Sequence, residues 1–91
     1  NCTVREYNKV PLRVENNRCV SRDAVPEQRC AGSCIDSNDE ECKCCSVGTT
    51  ILQPMVFDCF TDNTMRNREQ RIIRIKRIQS CQCHVCKNEK R

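Results

Sequence analysis

Four stretches of the chain mix apolar and polar positions in ways that predict strands, and turn-forming residues separate them. "TVREYNKVPLRVENNRC" interleaves valines with charges and ends in Glu15, Asn16 and Asn17, which predicts a strand followed by a bend. "CVSRDAVPEQRC" predicts a short strand near Cys19, with Pro26 on an exposed edge because proline cannot donate to a ladder. "TTILQPMVFDCF" is rich in strand formers around Cys59, and "DNTMRN" reads as a turn. "REQRIIRIKRIQSCQC" is a β-branched run ending in two cysteines. Its isoleucines at 72, 75 and 78 fit one face of a helix as well as a strand, and the turn chemistry elsewhere decides for strands. The expected fold is small, disulfide-rich and all-β, with two elongated irregular hairpins that carry cysteines at their bases.

Composition sharpens this picture. Eleven of the 91 residues are cysteine, above the roughly 8 to 10% level at which a short chain reads as a disulfide scaffold, so an oxidising compartment is expected. Such a chain is one domain, residues 1–91, with little to build a core from: no Trp, one Tyr and two Phe. No apolar run approaches the roughly 18 residues of a membrane span. The chain opens on "NCTV" without a basic, apolar leader, so it is expected to be a module of a longer precursor whose export sequence lies upstream. "NCT" offers Asn1 as an N-glycosylation acceptor.

The cysteine spacing predicts a knot. "CAGSC" sets Cys30 and Cys34 around Gly32, and "CQC" sets Cys81 and Cys83 on one face of a strand. Bridges from Cys30 to Cys81 and from Cys34 to Cys83 would close a small ring. Gly32, which lacks a Cβ, is the residue that a third bridge crowding through such a ring requires. Cys19 and Cys59, in the middles of the remaining strands, are the expected threading pair. Spacing alone leaves the connectivity open, since six cysteines allow 15 pairings.

The order Cys2, Cys19, "CAGSC", "CKCC", Cys59, "CQCHVC" resembles the C-terminal cystine-knot domain of von Willebrand factor and the gel-forming mucins, and takes in every cysteine. The resemblance implies intrachain bridges Cys2 to Cys45, Cys19 to Cys59, Cys30 to Cys81 and Cys34 to Cys83. It implies that Cys42, Cys44 and Cys86 bond to a second copy, Cys42 with its own counterpart and Cys44 with the partner's Cys86. That division leaves no sulfur over, and an odd cysteine count in a secreted protein points the same way.

Other chemistries fit less well. Zinc has closely spaced thiols in "CKCC" and "CHVC" and one imidazole, His84, but eleven thiols around a CxGxC are a poor match to a zinc site. The acidic run "DSNDEE" offers oxygens at Asp36, Asn38, Asp39, Glu40 and Glu41 without calcium-loop spacing, and reads as an exposed turn. His84, beside Cys86, is a candidate pH sensor for assembly, though a surface histidine without a role is the simpler reading. Net charge is only +4, yet Arg71, Arg74, Lys76 and Arg77 crowd into seven positions; on a strand they split, 74 and 76 on one face and 71 and 77 on the other, and they are candidate contacts for sulfated glycans or acidic surfaces. Few aromatics are present to stack on bases, so nucleic acid is not an expected partner. No constellation for catalysis or a cofactor is found, and an enzyme is not expected.

The expected function is therefore a disulfide-linked homodimerisation module ending a larger secreted, extracellular glycoprotein, joined tail to tail in the endoplasmic reticulum. The alternative is a signalling ligand or growth-factor antagonist of the cystine-knot class.

Overall fold

The computed structural model describes residues 1–35 and 43–86. They form four strands: β1 (Thr3–Val14), β2 (Cys19–Ala31), β3 (Lys43–Phe60) and β4 (Arg68–Val85). All pair antiparallel in one sheet, ordered β1-β2-β3-β4. The small disulfide-rich all-β class expected from the sequence is the one found. In β4 the strand period wins over the helical one: Ile73 and Ile75 pack toward the core while Ile72, next to Ile73, stays 73% exposed. Two expectations for β2 change. It is a 13-residue strand rather than a short one, and Pro26 is half-buried within an inner strand instead of lying on an exposed edge.

The turns follow from their residues. Glu15, Asn16 and Asn17 take left-handed backbone with φ of 53°, 57° and 69°, a conformation that asparagine tolerates better than most residues. Arg18 N–H closes the turn on the Glu15 carbonyl at 3.1 Å. Between β3 and β4, Asp62 organises the loop. Its carboxylate accepts from Thr64 Oγ1 at 2.8 Å and from Asn67 Nδ2 at 2.9 Å, and Thr61 N–H donates to the Asn67 carbonyl at 2.9 Å. The Thr64 hydroxyl is the main reason that the Asp62 carboxyl titrates below its ordinary value.

The chain divides into two compact units: unit 1 is residues 1–6, 28–51 and 78–91, and unit 2 is residues 7–27 and 52–77. Unit 2 holds the core, in which Cys19, Phe57 and Cys59 are buried and Leu12, Val14, Met55, Ile73 and Ile75 pack on them. Ser21, also buried, accepts from Leu12 N–H at 2.8 Å and donates to the Asp23 carbonyl at 2.7 Å, so its hydroxyl is satisfied both ways. Unit 1 buries no side chain among its described residues. Its polar ladder includes Thr49 Oγ1 against Ser80 Oγ at 2.6 Å, and Gln28, which donates to Glu6 at 3.4 Å and accepts from Ile78 N–H at 2.8 Å.

Candidate functional site: the sulfur network and the basic strand

Four bridges of unit 1 and one of unit 2 account for ten of the eleven cysteines. Cys30–Cys81 and Cys34–Cys83, each with Cα atoms 5.7 Å apart, tie the "CAGSC" end of β2 to the "CQC" end of β4. Cys2–Cys45 belongs to the same unit, with Cα atoms 5.5 Å apart. The sulfurs of Cys2, Cys45 and Cys34 lie within 4.8 Å of one another. All three are spent in disulfides and offer no thiolate to a metal.

The threading assignment is corrected here. Cys19 and Cys59 face each other directly across the β2–β3 ladder, in the register Cys19 to Cys59 and Ser21 to Phe57, and their bridge belongs to unit 2. The bridge that meets the ring is instead Cys2–Cys45. Gly32, between the ring cysteines Cys30 and Cys34, has φ of +125°, and a Cβ there would run into the backbone carbonyl of Asn1. The role read for Gly32, making room inside a crowded ring, is thus filled by the Asn1–Cys2 backbone. Position within a strand does not place Cys19 and Cys59, because register decides what a strand cysteine meets.

A second correction concerns Cys44 and Cys86, which were expected to bond across a dimer. They bond to each other within the chain, with Cα atoms 5.1 Å apart. Antiparallel pairing of β3 with β4 explains this: the register that sets Thr49 beside Ser80 carries Cys44 to the neighbourhood of Cys86. Cys44, Ser46, His84, Val85 and Cys86 line a pocket of about 470 Å³, so His84 does stand beside this bridge. Cys42 and the acidic residues Asp36, Asn38, Asp39, Glu40 and Glu41 lie outside the described residues. Asn1, the glycan acceptor expected from "NCT", is exposed.

The four basic residues of β4 do not form one cluster. Arg71 donates from both terminal nitrogens to the Glu15 carboxylate, at 2.9 and 3.0 Å, and its Nη1 also stands 3.6 and 3.8 Å from the sulfurs of Cys19 and Cys59. This fork holds the Glu15 carboxyl below its ordinary value and raises Arg71. Arg77 donates to the Pro26 carbonyl at 3.0 Å. Arg74 and Lys76 remain exposed, on the opposite face of the strand from Arg71 and Arg77. The Glu15–Arg71 clamp is a feature that the sequence reading missed. Its partners are 56 positions apart, and only the folded register brings them together.

Comparison of the chain with protein-family models, with curated proteins and with solved structures finds no match. What the structure defines is a class: a small all-β protein with a cystine-knot-like set of bridges.

Proposed function

We propose that this chain is a covalent homodimerisation module, of the kind that ends von Willebrand factor and the gel-forming mucins, joining two secreted glycoprotein chains tail to tail in the endoplasmic reticulum. One observation carries the reading. Five intrachain bridges use every cysteine but Cys42, so that sulfur has no cysteine of its own chain left to bond. In an oxidising compartment an odd sulfur pairs between chains, and a two-fold axis lets Cys42 meet its own copy. The interchain link is thereby narrowed from three cysteines to one. The remaining ten give the subunit the rigidity to present that link.

Denaturing gels run with and without reductant test this. Wild-type protein is expected to migrate as a reducible dimer, and Cys42→Ser as a monomer whose five bridges still map by mass spectrometry. A monomeric wild type with an alkylatable Cys42, or a Cys42→Ser protein that remains a reducible dimer, would overturn the reading.

A further inference from the structure

The face of β4 that points away from the core of unit 2 carries Ile72, Arg74 and Lys76 at alternate positions. All three are exposed, and neither Arg74 nor Lys76 has a hydrogen-bond or ion-pair partner among the described residues. Ile72 also lines a groove of about 260 Å³ whose other walls are Asp23, Gln53, Pro54, Met55 and Val56. That volume lies below the roughly 300 to 1,000 Å³ of small-molecule pockets, and suits an inserted apolar side chain better.

Charge selects among the occupants. Unit 2 holds ten Lys and Arg against six Asp and Glu, while unit 1 holds six of each, so the whole net charge of the chain belongs to unit 2. A second copy set two-fold on this face would bring Arg74 and Lys76 against their own like charges. A sulfated glycan would meet the cations but has nothing to fill an apolar groove, and Asp23 on its wall opposes a densely charged polymer. We propose that this groove, together with the cations that follow Ile72 on the same face of β4, docks an acidic polypeptide segment, which sets an apolar side chain beside Ile72 and carboxylates on Arg74 and Lys76. This inference is independent of the dimerisation reading and concerns a partner other than a second copy.

The test uses the intact, fully oxidised chain and a fluorescein-labelled decapeptide of alternating leucine and aspartate, followed by fluorescence anisotropy. Saturable binding is expected, weakened about tenfold by Ile72→Asn and about tenfold by the pair Arg74→Glu and Lys76→Glu. Arg5→Glu, an exposed cation of unit 1, should leave it unchanged. All substitutions are at exposed positions, and bridge mapping verifies that each variant is folded. Absence of peptide binding overturns the proposal, as does binding that ignores the Arg74 and Lys76 pair. Equal binding of oligo-aspartate or a sulfated polysaccharide, with no effect of Ile72→Asn, overturns it in favour of a plain polyanion surface.

Discussion

Unit 1 carries four of the five bridges and no buried side chain among its described residues, whereas the single bridge of unit 2 is part of an apolar core. The four bridges of unit 1 span 42 to 51 residues. In the chain-entropy model each such closure contributes about 4 kcal/mol, though the terms do not add. Unit 2 relies on burial: Phe57, fully enclosed, contributes about 2 to 3 kcal/mol by area alone. One chain thus uses covalent constraint where there is nothing apolar to bury, and packing where there is. The lesson is about substitution of one stabilising force by another within the same four strands, since each strand supplies residues to both units.

If that division is right, the units fail differently. Replacing Cys30 and Cys81 together by Ser should cost about 4 kcal/mol, with amide protection lost in unit 1 and kept around Phe57 in hydrogen-exchange experiments. Equal loss in both units would show that the two are one cooperative body. Phe57→Ala should lower stability by about 3 kcal/mol in thermal unfolding of the oxidised protein while leaving the bridges of unit 1 mapped as before. Gly32→Ala, strained at its positive φ and opposed by the Asn1 carbonyl, should cost about 2 kcal/mol and leave Cys2 partly unbridged, read by alkylation and mass spectrometry.

The smallest effect expected is that of pH. Glu15 is depressed in the fold by Arg71, so its contribution is fully present above the ordinary value of 4.5 and is lost as pH falls through the lower folded value. Glu15→Gln should flatten the acid side of the stability curve over that window without moving the neutral plateau by more than the lost pair. A curve of unchanged shape would remove the clamp from the list of interactions that matter.

How far the sequence could be read depends on the range of each interaction. Local chemistry was legible: the Asn16–Asn17 bend and the turn at Asp62 follow from neighbouring residues, whereas the isoleucines of 72 to 78 fit a helix equally well and needed turn chemistry elsewhere to mark them as a strand. The CxGxC and CxC spacings pointed to the ring, because a bridge between them needs only that two strand ends meet. The four pairings Cys2–Cys45, Cys19–Cys59, Cys30–Cys81 and Cys34–Cys83 are those that the resemblance implies, but which of them lies at the ring depends on register, and the resemblance set Cys44 against a partner's Cys86 where the bridge closes within one chain. The split of the β4 cations follows from strand alternation alone, with Arg74 and Lys76 on one face and Arg71 and Arg77 on the other; their partners do not. Arg71 and Arg77 turn to partners in the fold, while Arg74 and Lys76 face outward.

The clamp over Cys19 and Cys59 has a chemical consequence for reagents outside the protein. A thiolate attacking that bridge must reach sulfurs with almost no exposed surface, past a guanidinium tethered to a turn glutamate. Graded reduction followed by alkylation is therefore expected to open the bonds of unit 1 first and this one last. The durability of that covalent bond would then be governed by the packing that encloses its two sulfurs.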